Sequence, residues 1–183
     1  ERWVQKNLVP ERPVFIVHRL DKAATGLMIV AHSKKSASTL SAMFEAKSVE
    51  QSSLQKHYQI IVHGNASNLS ENEEVNTPIE GKQAKSLFSC KGYDAKHDLS
   101  VIQVNLITGR KHQIRLHAAS LGLPVVGDRL HGDKSKEYHQ DLNLQLCSVS
   151  LQFICPFSGE EKAFATPENL RPDIKKVIQL LSK

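Results

Sequence analysis

Strand-like and helix-like stretches do not alternate along this chain, and that order narrows its possible folds more than any other feature. Residues 14–17 form a short β-branched and aromatic run, and residues 27–31 a second one, apolar throughout as in a strand buried on both faces. Ser33 is placed to cap a helix whose buried side is Ala37, Leu40, Met43, Phe44 and the stem of Lys47, ending before the polar residues 48–53. Tyr58, Ile60 and Val62 alternate along a strand that stops at 63–65, and residues 101–106 alternate in the same way. The polar, acidic residues 65–82 read as a surface loop. Residues 111–121 suit a helix with Ile114, Ala118 and Leu121 on one side, Gly122 as its left-handed cap and Pro124 blocking continuation. Val149, Leu151 and Phe153 pair with residues 163–165 as a hairpin, and a last helix buries Ile174, Val177, Ile178 and Leu181. A regular strand–helix repeat would build a doubly wound parallel sheet. This order predicts an α+β fold instead, a mixed and mostly antiparallel sheet flanked by helices. Neither a repeat nor a linker divides the chain, so residues 1–183 are expected to form one domain.

A chain of 183 residues can bury a core without covalent staples. Its three cysteines, Cys90, Cys147 and Cys155, are odd in number and lack metal-ligand spacing, which favours reduced thiols in the cytoplasm. No apolar run is long enough to span a membrane, and the first residues lack the apolar stretch of a signal peptide. The net charge of +5 suits a polyanion, because each phosphate neutralised releases condensed counterions. Charge alone does not choose among anionic partners.

Three segments can carry chemistry. Residues 18–26, His-Arg-Leu-Asp-Lys-Ala-Ala-Thr-Gly, pack ionisable groups between two apolar runs. Arg19 and Lys22 favour the carboxylate form of Asp21, which suits a nucleophile better than a general acid. Local pattern alone fits a solvated hairpin tip equally well. Residues 108–117, Thr-Gly-Arg-Lys-His-Gln-Ile-Arg-Leu-His, place Arg115 near a helix start, either as a partly buried guanidinium aimed at a carboxylate or on an exposed basic face. Lys56-His57-Tyr58 opens a strand, where a tyrosine is ordinarily a core residue with its hydroxyl at the rim.

Taken in order, these segments resemble the RluA family of pseudouridine synthases. Its hallmark is His-Arg-Leu-Asp followed by a turn such as Thr-Ser-Gly, here Ala24-Thr25-Gly26. Its Lys-x-Tyr strand ending in Gly is similar to Lys56-His57-Tyr58 through Gly64. Its Thr-Gly-Arg-x-His-Gln-Ile-Arg-x-His segment, and the Gly-x-Pro-x-x-Gly-Asp that follows, match residues 108–117 and 122–128. Further on, Leu146-Cys147-Ser148 stands where the family has Leu-His-Ala. The strand and Lys-Pro-x-Gly turn that the family carries upstream of its aspartate are absent, which implies a catalytic domain lacking part of its N-terminal side.

The resemblance implies that Asp21 is the catalytic nucleophile, that Arg115 pairs with it, and that Tyr58 stacks on the target base and assists proton removal. It implies that Arg19 fills the gap left by a flipped uridine and that Leu146 closes the apolar side of the pocket. Lys22, Arg110, Lys111 and Arg129 are the candidate phosphate contacts. The substrate class is ribosomal or transfer RNA, and the isomerisation calls for no cofactor and no metal. A cytoplasmic monomer is expected. One rival is a catalytically silent RNA-binding module on the same scaffold. Another is a metal-dependent hydrolase using His112, His117, His131 and His139, although His112 and His117 lack helical ligand spacing.

Overall fold

The computed structural model describes residues 5–45, 54–132 and 142–181. Strands β1 (Phe15–Ile16), β2 (Thr25–Gly26) and β3 (Val30–Ala31) precede helix α1 (Lys34–Glu45). Then come β4 (Gln55–His63), β5 (Glu73–Val75), β6 (Ser86–Asp94), β7 (Leu99–Leu106) and α2 (Gln113–Ser120). Strands β8 (Leu146–Ile154) and β9 (Glu161–Ala165) and helix α3 (Ile174–Leu181) complete the order. A seven-stranded sheet runs β2-β8-β4-β7-β6-β5, with β9 also on β8. Only the β2–β8 pairing is parallel; the others are antiparallel. The fold is α+β with a mixed, mostly antiparallel sheet, as the segment order implied. Among the described residues no helix is long and apolar enough to cross a membrane.

Strand alternation distributes the cores. From β4, Tyr58, Ile60 and Val62 join Phe88, Ile102 and Val104 beneath α2, which contributes Ile114 and Ala118. Ile61 faces the other way, onto Leu99, Val126 and the α3 residue Val177. Leu54, Leu151 and Phe153 pack with Leu40, Ala37, Met43 and Phe44 of α1. The register pairs Lys56 with Leu151 and Ile60 with Leu146, so this third cluster lies on the face that also carries α2. Helices α1 and α2 therefore stand over one face of the sheet, and the space between them is the candidate site.

Ser33 caps α1 as expected, its Oγ accepting the Ser36 N–H at 3.0 Å. Gly122, at φ 72°, closes α2 in the left-handed region. Lys47 and residues 48–53 lie outside the described residues. Two expectations need correction. Residues 27–31 are not one strand buried on both faces, since Met28 is 45% exposed. Here the chain divides between two sheets: the Leu27 N–H donates to the Ser148 carbonyl at 3.0 Å, while β3 pairs only with β1. Residues 65–82 are not wholly loop, because β5 lies within them on the edge of the sheet. Alternation failed to reveal β6 because its register shifts between Cys90 and Gly92, so a period of two loses phase halfway along.

Candidate active site

Asp21 sits in a turn closed by the Ala24 N–H, which donates to the Asp21 carbonyl at 2.9 Å. Two contacts fix this turn in place. On one side, the Ile29 N–H donates to His18 Nε2 at 3.0 Å, and the His18 ring stacks on Phe44 of α1 with centroids 4.3 Å apart. On the other, Gly26 lies against β8 at φ +104°, where an added Cβ would fall 2.2 Å from the Ser148 carbonyl oxygen. Only glycine combines that dihedral with so close an approach. The aspartate is thus carried between α1 and the sheet and is not a solvated hairpin tip.

Arg115 comes from the first turn of α2 and is buried, as is Asp128. Its Nε donates to Asp128 Oδ2 at 2.7 Å, its Nη2 to Asp128 Oδ1 at 2.5 Å, and its Nη1 to Asp21 Oδ2 at 3.3 Å. Asp128 Oδ1 also accepts the Leu130 and His131 N–H groups, both at 3.0 Å. Burial alone would raise the Asp128 carboxyl, but Arg115 and these two amides outweigh it and hold it below the ordinary range. The Arg115 guanidinium is raised chiefly by its hydrogen bond to Asp128. The cation in contact with Asp21 therefore comes from α2, held in place by a second carboxylate.

Neighbouring residues of the same segment are structural. Gln113 Oε1 accepts from the Thr108 hydroxyl (2.7 Å) and the Arg110 N–H (3.0 Å), while its Nε2 donates to the Lys85 carbonyl and the Ser86 hydroxyl. His117 is buried between Ser86 Oγ at 3.1 Å and the Thr77 carbonyl at 3.0 Å, and burial lowers its pKa. A neutral ring donating from Nε2 to Thr77 fits that arrangement. The 108–117 segment thus anchors the start of α2 to β6, and with it Arg115.

Asp21, Tyr58, Leu146, Arg19, Arg110 and Lys111 line one cleft of about 500 Å³, floored by the sheet between α1 and α2. Tyr58 and Leu146 are buried in its floor. Opposite Tyr58, β8 carries one residue too many: His57 pairs with Ser150 and Tyr58 with Ser148, leaving Val149 as a bulge. Bulges re-aim side chains beside active sites. Burial pushes the Tyr58 phenol up to about 12; the Asp21 and Cys147 charges add to this and the Ser148 hydroxyl opposes it. At neutral pH the phenol is a donor and not a base.

Arg19, Arg110 and Lys111 stand exposed at the rim, with Arg110 Nε donating to the Gln83 carbonyl at 2.9 Å. Lys22 and Arg129 are exposed but do not line the cleft. Residue-by-residue reading missed Lys56, which is buried in the cleft with its ammonium 5.7 Å from the Phe44 ring centroid. It missed Asp128 as well, whose signal was its place at the end of the Gly-Asp segment. For the hydrolase reading, His117 is committed to Ser86 and Thr77, and His112 lies 3.0 Å from His131. Among the described residues no three His, Cys, Asp or Glu converge as a metal cage, and His139 lies outside them.

Comparison with known proteins identifies the fold and the family. The structure of human RNA Pseudouridylate Synthase Domain Containing 1 superposes with a TM-score of 0.68 at 22% identity, covering 93% of this chain and 81% of that one. The fold is therefore that of pseudouridylate synthases. A family model described as RNA pseudouridylate synthase matches residues 4–120. An uncharacterized RNA pseudouridine synthase of Aquifex aeolicus is 32% identical over 179 residues, which cover 86% of this chain and 54% of that protein. Ribosomal large subunit pseudouridine synthase D of Blochmanniella floridana is 32% identical across 92% of this chain and 57% of its own length. The dual-specificity RNA pseudouridine synthase RluA of Vibrio parahaemolyticus is 27% identical, with 89% and 69% covered. The chain belongs to the RNA pseudouridylate synthase family, in its RluA group. It spans between about half and two thirds of the length of these relatives.

Proposed function

We propose that this cleft isomerises uridines of structured RNA, ribosomal or transfer, to pseudouridine, with Asp21 as the nucleophile. The observation that carries the reading is the Arg115 Nη1 to Asp21 Oδ2 contact of 3.3 Å at the wall of a cleft floored by Tyr58 and Leu146. The reaction breaks the bond between N1 of the uracil and C1′, turns the base, joins C5 to C1′, and loses the C5 proton while N1 gains one. Composition is unchanged, so no redox partner, nucleotide or metal is required. Asp21 supplies the electron pair at the sugar or the base, and Arg115 keeps it oriented in a partly dry site.

The target uridine must leave its helix or loop, at a cost of a few kcal/mol, to reach a carboxylate at this depth. Arg19 at the rim is placed to enter the vacated stack. Tyr58 presents a flat face to the uracil, and its neutral phenol donates a hydrogen bond or relays the C5 proton without acting as a free base. Leu146 closes the apolar side. Arg110 and Lys111 meet phosphates beside the cleft, with Lys22 and Arg129 reaching more distant ones; such contacts position RNA without reading its sequence. Residues 1–183 act as the catalytic domain of a cytoplasmic monomer in this reading.

Release of tritium from RNA labelled at uridine C5 tests the proposal. The domain is expected to release it, and Asp21→Asn to stop release while still binding RNA. Binding without release on any RNA class, in the full-length protein as in the domain, would favour a silent RNA-binding module.

A further inference from the structure

We infer that His112 and His131 form a positioning pair for the reacting carboxylate, acting through Asp128 and Arg115. The inference rests on the reading of the cleft given above. His112 precedes α2 at φ 54°, a left-handed conformation that side chains seldom adopt. Its side chain makes no capping bond to the helix. Instead its Nδ1 lies 3.0 Å from His131 Nε2, with the rings edge-on at 5.1 Å. An uncommon backbone conformation at this point serves the ring contact and not the helix end.

The contact has a direct line to the chemistry. His131 donates its backbone N–H to Asp128 Oδ1 at 3.0 Å, Asp128 holds two nitrogens of Arg115, and Arg115 reaches Asp21. Behind His131, the Gly132 N–H donates to the Asp128 carbonyl at 3.0 Å, and a Cβ at Gly132 would lie 2.2 Å from that oxygen. Residues 128–132 thus make a tight turn, which the imidazole pair fastens to the start of α2. Arg115 is carried on one side of that fastening and its carboxylate partner on the other.

The bond has a proton limit. Between two neutral rings one N–H occupies the contact, and a first added proton goes to an outer nitrogen and leaves the bond intact. A second proton sets two N–H groups face to face with no acceptor, and the fastening opens. Asp128, Arg115 and Asp21 act on the pair from the cleft side; Lys111, His117 and Glu80 line the groove on the other. Burial lowers the His131 pKa, with Asp128 opposing, so the doubly charged pair is reached only on the acid side.

The test compares His131→Phe, which keeps a ring without a ring nitrogen, with His131→Gln, whose amide can stand near Nε2 and either donate or accept. Single-turnover tritium release on the full chain should fall about tenfold in His131→Phe with RNA affinity within about threefold, and return to near wild type in His131→Gln. The acid limb should move to lower pH in His131→Gln, because its amide oxygen still accepts from a protonated His112. Wild-type release by His131→Phe, or equal loss in both variants with an unmoved acid limb, overturns the inference. Nitrogen-15 imidazole spectra and carboxyl carbon-13 spectra of Asp128 need no turnover. They should show a through-hydrogen-bond coupling between His112 Nδ1 and His131 Nε2, and the Asp128 titration shifting in His131→Phe but not in His131→Gln. Absence of that coupling, or an Asp128 signal indifferent to both variants, would count against it even if the domain released no tritium. Absence of release in the wild type would instead defeat the reading of the cleft.

Discussion

Asp128 holds Arg115 through two nitrogens, at 2.7 and 2.5 Å, whereas Asp21 takes only one, at 3.3 Å. The structural partner of the arginine is therefore Asp128 and not the proposed nucleophile. Asp128→Asn should destabilise the fold by about 3–5 kcal/mol, because it leaves a buried guanidinium with only the longer contact to Asp21 as counter-charge. Asp21→Asn should cost distinctly less. Denaturant unfolding of both variants checks this, and a larger loss in Asp21→Asn would refute the ranking.

The same pair sets an acid limit on stability. Folded Asp128 titrates below its unfolded value, so its contribution is present above about pH 4 and is lost as pH falls through the folded value. The unfolding free energy of the wild type should therefore decline from about pH 5 downward, and Asp128→Asn should decline less steeply. Parallel slopes in the two proteins would show that Asp128 is not responsible.

Gly26→Ala should damage the site from a distance. The new methyl would meet the Ser148 backbone at 2.2 and 2.6 Å in a conformation at φ +104°. Either the 21–26 turn lifts from β8 or β8 shifts, and Asp21 moves in both cases. A loss of several kcal/mol in stability, with at least a hundredfold drop in tritium release, is expected from overpacking and backbone strain together. Near-wild-type release would mean that Gly26 does not set the position of Asp21.

Tyr58→Phe separates the ring from its hydroxyl. If the ring stacks on uracil, RNA affinity should stay within about threefold while release slows, and Tyr58→Ala should weaken both. Because the phenol is pushed up to about 12, no alkaline limb below about pH 10 should come from this residue. Its raised value also means that stability falls as pH climbs from about 10 towards about 12. An alkaline limb near pH 8 that vanished in Tyr58→Phe would contradict the burial described here.

Much of this molecule was legible in its residues. The alternation of Tyr58, Ile60 and Val62, the Ser33 cap and the Gly122 stop each encode a local rule, and each held. What escaped was non-local. Strand β6 alternates in two phases around a bulge that only its pairing with β7 defines, and residues 25–31 divide between two sheets only because β8 arrives from far along the chain. In the site, the segment motifs brought out Asp21, Tyr58 and Arg115, which the structure gathers in and beside one cleft. The tie from Arg115 to Asp128 and the His112–His131 contact depend on how α2 meets the 128–132 turn, and the place of Lys56 on how α1 meets β4, neither of which has a period to read. Lys22 shows the reverse: it adjoins Asp21 in sequence, yet does not line the cleft.

The parallel pairing of β2 with β8 also bears on biosynthesis. Thr25 reaches the Leu146 carbonyl across 121 positions of chain, so the turn that carries Asp21 can lean on α1 through His18 and Phe44 but lacks its sheet-side dock until β8 has been made. On the ribosome, at roughly 5–20 residues per second, that is a delay of several seconds after Asp21 itself is translated. Arg115 and Tyr58 are made within that interval, but the floor of the cleft is incomplete until Leu146 joins it. An emerging chain therefore carries the proposed nucleophile past the ribosome's own RNA before the cleft that would use it is complete.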